Sequence, residues 1–428
     1  MNKSPQKIIE FVGKIKVDKS WSFAELGRKD TTYITHGYHR YPAKFIPQIV
    51  SRLIKKYTQK GDLVVDPFGG CGTTIVEAKT AGRKSLAVDI NPVAVLITKA
   101  KKTAIKPDQL ERHFLQLKQK IENYNKNTKV KTPNHQRIDY WFEPEQKKKL
   151  SFLFSKISEI KNKDIQNFFF CAFSNILKNC SIWLQKSNKP TRDLKKIPSD
   201  PFKTFFRQTK AMMRGNKSFY FLLQERGFLE TSCQVFCGDA RDIPTKNNTV
   251  ELVVTSPPYV TSYEYADLHQ LTALWFKHTK NLSDFRKRFI GTSFHTNKTI
   301  NLNSQIAKDI VAKLDQIHHK TSVGVATYFS EMNQVFQEMK RILKKGGKTA
   351  IVIGNTKLKS IKILNTEVFV EQLQNLGLKI RAIIKREIPS KNLPSIRDPK
   401  TGRFAKITDK KKVLAYPTEY ILIFEKQL

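Results

Sequence analysis

Long apolar stretches are missing from this 428-residue chain. No run approaches the roughly 20 residues that a bilayer-crossing helix requires, so a helical membrane protein is not expected. The opening Met1-Asn2-Lys3-Ser4 leads into mixed polar sequence without the apolar centre of a secretory signal. Cysteine is scarce: Cys71, Cys171, Cys180, Cys233 and Cys237 form an odd set with no Cys-x-x-Cys pair. That argues against a disulfide framework and a structural zinc, and it fits a reduced, cytoplasmic setting with no metal site. Acidic residues are also in short supply, 37 against 77 Lys and Arg, which leaves a formal net charge of +40. A field of that sign attracts polyanions, so nucleic acid is the expected partner. The lysines are spread along the whole chain, and charge alone does not locate a binding face.

What is present is an alternation of strand and helix patterns, which implies an α/β protein with a mainly parallel sheet. Leu63-Val64-Val65, Ser85 to Val88, Gln234 to Cys237, Leu252-Val253-Val254, Lys348 to Ile353, Ile380 to Ile384 and Tyr420 to Phe424 read as seven strands. The fifth follows a turn expected at Gly346-Gly347. Helices are expected to open at Thr73-Thr74 and to run from about Val93 to Lys101. Between Ile105 and Glu230 the βα rhythm stops. Leu150, Leu153, Phe154, Ile157 and Ile160, then Phe168, Phe169, Phe173, Ile176 and Leu177, recur at helical spacing instead. The expected organisation is a catalytic domain from 1–104 and 231–428, interrupted by a helical insertion from 105–230.

Two phrases carry the chemistry. In Asp66-Pro67-Phe68-Gly69-Gly70-Cys71-Gly72-Thr73-Thr74, glycines between a strand and a helix allow a tight turn and close approach of a ligand to backbone N–H groups. The spacing is not that of the dinucleotide fingerprint. Asp89 closes the second strand, where a carboxylate can accept bonds from both ribose hydroxyls. Asp239, after the third, can accept from an adenine amino group, and Asp66 can face an ammonium. Three acids at successive strand ends suit a nucleoside that carries positive charge better than a polyphosphate. The second phrase, Thr255-Ser256-Pro257-Pro258-Tyr259, ends a buried strand with a hydroxyl, two rigid prolines, free carbonyls and a flat ring. That set suits holding a planar amino group by its N–H bonds.

These two phrases together resemble the amino-directed DNA methyltransferases, acting on cytosine N4 or adenine N6. His39-Arg40-Tyr41-Pro42-Ala43-Lys44-Phe45-Ile46-Pro47 is similar to that family's motif X, Val88 to Pro92 to motif II, and Gly238-Asp239-Ala240 to motif III. The order is X-I-II-III-IV. The resemblance implies a Rossmann-like class I methyltransferase fold, a seven-stranded sheet of order 3-2-1-4-5-7-6 with the last strand antiparallel. It implies S-adenosylmethionine as cofactor, held by Tyr41, Lys44, Phe45, Asp66, Phe68, Gly70, Gly72, Thr73, Thr74, Asp89, Asn91, Asp239 and Ala240. It makes Ser256, Pro257, Pro258 and Tyr259 the catalytic set, double-stranded DNA the substrate, and a cognate restriction endonuclease a further partner. Serine at the first position of motif IV is associated with cytosine-N4 enzymes. Adenine-N6 transfer, transfer to an RNA amine, and a non-catalytic binding module are the competing readings.

Reaching a base inside a duplex requires flipping it out, which suits a ring platform at Tyr259, with Tyr263 and Tyr265 as further rings or as packing at a helix start. Three segments are candidates for reading DNA: the insertion, the stretch from Lys280 to Lys308 (expected to be loop-like, with Arg286, Lys287 and Arg288), and the run from Lys391 to Lys412 between the last two strands. Cys71, at a position often occupied by serine, reads as a small packed residue.

Overall fold

Prolines set many of the element boundaries. The helices Pro5–Gly13, Pro47–Tyr57, Pro92–Lys102, Pro107–Glu122, Pro144–Ser158 and Pro201–Arg226 all open on proline. At the first helical position its missing N–H costs nothing and its fixed φ suits the turn. The structure, a computed structural model, describes residues 4–42, 44, 46–125, 127–260, 264–292, 300–389, 396–397, 408, 413–414 and 417–427.

Seven strands form the main sheet: β1 (Leu63–Asp66), β2 (Lys84–Asp89), β3 (Cys233–Cys237), β4 (Val250–Thr255), β5 (Leu343–Ile353), β6 (Leu378–Glu387) and β7 (Thr418–Lys426). Their order is β3-β2-β1-β4-β5-β7-β6. The pairs β1/β2, β2/β3 and β4/β5 are parallel, while β7 runs antiparallel to both β5 and β6. This is the order the sequence resemblance implied. Gly346 and Gly347 lie inside β5 rather than ahead of it. The register jumps there, from Val250 opposite Leu343 to Leu252 opposite Lys348, and Gly346 takes a φ of 74° to absorb the extra residues as a bulge.

The chain divides into two compact units. One comprises Met1–Gly27, Ala240–Tyr263 and Ile290–Leu428. Its buried interior includes Tyr328, Phe329 and Phe336 from the helix His319–Ile342 and Phe369 from the helix Asn365–Asn375. Phe336 and Phe369 meet edge-on at 4.8 Å, a favourable arrangement of ring quadrupoles.

The other unit comprises Arg28–Asp239 and Glu264–Phe289. The expected helices of the 105–230 region are present as Pro107–Glu122, Gln136–Trp141, Pro144–Ser158, Lys163–Ile176 and Pro201–Arg226. Within this unit they share one core with the βα elements: Leu110, Leu150, Phe168 and Phe205 pack in the same cluster as Val93 and Ile97. Gly215 allows the closest approach, since a Cβ there would sit 2.4 Å from the Ile34 carbonyl oxygen.

The Lys280–Lys308 stretch is less loop-like than its polarity suggested. It holds the helix Leu282–Lys287 and the start of Gln305–Asp315. Asn281 and Ser304 cap them, accepting from the N–H groups of Ser283 and Ala307 at 2.8 and 3.0 Å, a local signal for a helix start. Of the basic run near the C-terminus, Lys391, Lys400, Arg403, Lys406 and Lys410 to Lys412 lie outside the described residues, as do Phe45 and Tyr263. Arg397 belongs to a two-residue strand pair with Val413–Leu414. Among the described residues no helix is long and apolar enough to cross a membrane.

Candidate active site

The glycine turn after β1 is held from several sides. Gly70 and Gly72 take φ values of 49° and 78°, the left-handed region that disfavours any side chain. Asp66 is buried, and its carboxylate accepts from the Phe68 N–H at 3.1 Å and from the Thr74 hydroxyl at 2.7 Å. Thr98 donates to the Gly70 carbonyl at 3.0 Å. Asp89 accepts from the N–H of Gly70 at 2.7 Å and of Asn91 at 2.8 Å. The predicted residues Asp66, Phe68, Gly70, Gly72, Thr74 and Asp89 therefore converge on one turn, with both acids bonded to it.

Tyr41 covers this turn: a Cβ on Gly70 would stand 3.5 Å from its ring. The ring stacks on Tyr265 at 5.9 Å and lies tilted against His269 at 5.0 Å. Burial raises the Tyr41 hydroxyl well above the usual phenol range, with the charge of Asp89 adding to it. Lys44 donates to the His36 carbonyl at 3.1 Å, and burial lowers its ammonium to about 8. Asn91, expected at the cofactor, spends its side chain on structure. Its carbonyl oxygen caps Val93 N–H at 3.0 Å and its amide bonds His269 Nδ1 at 2.7 Å. His269 was not anticipated. Its Nδ1 accepts from Asn91, so Nε2 carries the proton, and that buried Nε2 has no partner among the described residues. Asp239 follows β3 in the same unit, where the Gly238 N–H bonds the Asp89 carbonyl at 3.1 Å. Ala240 is buried in the other unit.

Asp89 has a titration consequence. Burial raises its carboxyl to about 6, against the opposing N–H bonds of Asn91 and Gly70. A raised folded-state value means the protonated form favours the fold. That contribution is complete below the ordinary carboxylate range near ~4 and is lost as pH rises through about 6. A cationic ligand beside Asp89 reverses the preference. Its affinity is expected to fall up to about tenfold per pH unit below about 6 and to level above it, with proton release on binding. Calorimetric titration with S-adenosylmethionine across that range checks this, and Asp89→Asn is expected to flatten the profile.

In the other unit, the segment leaving β4 is equally fixed. The Tyr328 hydroxyl donates to the Pro258 carbonyl at 2.9 Å. Tyr259 donates to Glu419 at 3.3 Å, and its ring lies 3.4 Å from where a Gly354 Cβ would stand. Glu419 in turn pairs with buried Arg386, which is anchored on the Trp21 and Ser22 carbonyls at 2.6 and 3.1 Å. Among the described residues the Ser256 hydroxyl and the Pro257 carbonyl accept no hydrogen bond. The two carbonyls of the Pro-Pro pair thus have different fates. Removing the Pro258 anchor with Tyr328→Phe is expected to lower kcat about tenfold with unchanged cofactor affinity. Steady-state methyl transfer set against cofactor titration checks it.

A seven-stranded sheet of this order, parallel except at β7, with a glycine-rich turn after β1 and an acid ending β2, is a Rossmann-like α/β fold. The family model described as DNA methylase, for N6 and N4 methyltransferases, matches residues 3–100 and 250–427, and the chain belongs to that family. Its methyl donor is S-adenosylmethionine. The chain is 26% identical over 433 residues to the Type II methyltransferase M.MvaI of Kocuria varians, covering 93% of this chain and 94% of that one. It is 22% identical to M.BsoBI of Geobacillus stearothermophilus over 75% and 74% of the two chains. To M.AvaI of Nostoc it is 24% identical over 81% and 80%.

Proposed function

We propose that the chain methylates the exocyclic N4 amine of cytosine at a specific site in double-stranded DNA. In this reading it is the cytoplasmic modification partner of a restriction endonuclease. The relatives named Type II methyltransferases support that setting. The observation that carries the base assignment is serine at the head of Ser256-Pro257-Pro258-Tyr259, with its hydroxyl and the next carbonyl accepting no hydrogen bond among the described residues.

The residues suit the two binding tasks. Gly70 and Gly72 let a ligand approach the backbone without a side chain in the way, and Asp89 offers the carboxylate for ribose hydroxyls and for positive charge. Tyr41 covers the turn, Lys44 is a further cofactor-binding residue, and Asp239 is the acceptor for an adenine amine. When bound, S-adenosylmethionine supplies a methyl group on a cationic sulfur. On the DNA side, an exocyclic amine is a poor nucleophile because its lone pair is delocalised into the ring. The Ser256 hydroxyl and Pro257 carbonyl accept its N–H bonds, which favours the pyramidal, positive nitrogen of the transition state. The Tyr328 and Glu419 bonds keep those acceptors and the Tyr259 ring in place, so little reorganisation is needed. Tyr259 stacks on the extruded base. The methylated amine is cationic and loses its proton to water, so no strong general base is required. Residues 105–230 form the candidate target-recognition region.

Incubation with labelled S-adenosylmethionine and plasmid, followed by nucleoside mass spectrometry, is expected to yield N4-methylcytosine. N6-methyladenine alone would reassign the base. Transfer to tRNA or rRNA and none to duplex DNA would replace the substrate.

A further inference from the structure

Residues 177–200, between the helices Lys163–Ile176 and Pro201–Arg226, form a segment whose backbone is firmly pinned. Leu184 N–H bonds the Thr191 carbonyl and Asp193 N–H the Ile182 carbonyl, both at 2.8 Å. Trp183 pairs with Arg192 as a β-bridge and stacks on Trp141 at 5.0 Å. The Lys196 ammonium donates to the carbonyls of Lys178 and Trp183 at 2.8 and 2.7 Å. A loop held this well still turns two apolar side chains outward. Leu194 is 76% exposed and Ile197 92%, the two most exposed large hydrophobics among the described residues. Their surface is not needed for the fold.

The surroundings are cationic. Lys186, Lys189, Arg192 and Lys195 are exposed on the loop. Arg192 and Arg137 lie over the half-exposed Tyr140 ring at 4.3 and 5.3 Å. The nearby acids are already engaged. Asp193 accepts from the Lys195 N–H at 3.1 Å, and Asp200 caps Lys203 and pairs with Lys149 at 2.9 Å. The loop also connects to the cofactor turn through packed residues of one unit. Trp141 and Arg137 both donate to Gln270, at 3.2 and 3.3 Å, and Gln270 follows His269, which bonds Asn91.

We propose that this loop is a DNA wedge: Leu194 and Ile197 enter between base steps of the duplex while the flanking Lys and Arg side chains hold phosphates on either side. Apolar tips on a rigid, cationic support are what partial unstacking requires, because the tips offset the lost stacking and the cations fix the register. The proposal rests on duplex DNA being the substrate.

The test is relaxation of closed circular plasmid by a topoisomerase in the presence of the full chain. The parent protein is expected to shift the linking-number distribution. Leu194→Ala with Ile197→Ala is expected to lose most of that shift and to raise the KM for plasmid about tenfold. Its cofactor affinity, thermal midpoint and the salt slope of DNA binding are expected to be unchanged, because the cations remain. Leu194→Met with Ile197→Met is expected to retain the shift. An alanine variant that unwinds and methylates plasmid like its parent overturns the wedge while leaving the methyl-transfer reading intact. A parent that unwinds plasmid but methylates no DNA does the reverse. A parent dimer that the alanine variant converts to a monomer, with no change in unwinding, assigns the two side chains to self-association and also overturns the wedge.

Discussion

Alanine at both Ser256 and Tyr259 is expected to lower single-turnover methyl transfer to plasmid by about 10³-fold or more. Cofactor affinity is expected to remain within about twofold, since neither residue belongs to the glycine turn. The magnitude follows from what each group does. Ser256 supplies one of two acceptors aimed at a nitrogen that becomes positive, and removing one fixed dipole of that kind costs on the order of 10²-fold. Tyr259 supplies the stacking face, worth about 1–3 kcal/mol per base. Because both act on one bound base, the double loss is expected to be smaller than the product of the single losses. Tyr259→Phe separates the ring from its hydroxyl. It gives up the 3.3 Å bond to Glu419, which keeps Arg386 as partner. Transfer by that variant is expected within about fivefold of the parent. Methyl transfer unaffected by the double substitution would place the chemistry elsewhere.

The features legible in the sequence are those imposed by the backbone locally. Positive φ at Gly70 and Gly72 demands glycine, and a buried strand ending in two prolines has few alternative conformations. The main strands were visible as apolar runs between such punctuation. Side chains that act through tertiary contact were not visible. Tyr328 sits in the middle of an amphipathic helix, and nothing nearby marks its bond to the Pro258 carbonyl. Arg386 and Glu419 lie just outside the apolar runs Ile380 to Ile384 and Tyr420 to Phe424, yet both are buried. Asn91 illustrates a signal that was present but read for a different role. Asparagine followed by Pro92 and Val93 is a helix cap, which is how the structure uses it. His269 and Gln270 interrupt the apolar series Leu268, Leu271, Leu274. A polar pair inside such a series is a cue for buried hydrogen bonding that periodicity alone passes over.

Gly72→Val is expected to be the most damaging single substitution at the cofactor turn. Two costs coincide there. A β-branched residue at a φ of 78° is strained by about 1–3 kcal/mol. Its Cβ would also stand 2.9 Å from the Thr98 Cγ2 and 3.2 Å from the Thr98 Cα. The side-chain tip could rotate, but the Cα belongs to the helix Pro92–Lys102 and cannot yield cheaply, so overpacking adds about another 1–3 kcal/mol. Relief requires displacing the turn, which breaks the Thr98 bond to the Gly70 carbonyl and the Asp89 bond to the Gly70 N–H together. Denaturant unfolding is therefore expected to show a loss of about 3–5 kcal/mol, and cofactor binding to drop below detection in calorimetry. Gly61→Ala isolates the first cost. Its φ of 91° is equally unfavourable to a side chain, but nothing lies within 4 Å of the added methyl. A loss of only about 1–2 kcal/mol with normal cofactor binding is expected there. Equal losses at the two positions would mean that strain alone governs the turn and that contact with Thr98 does not.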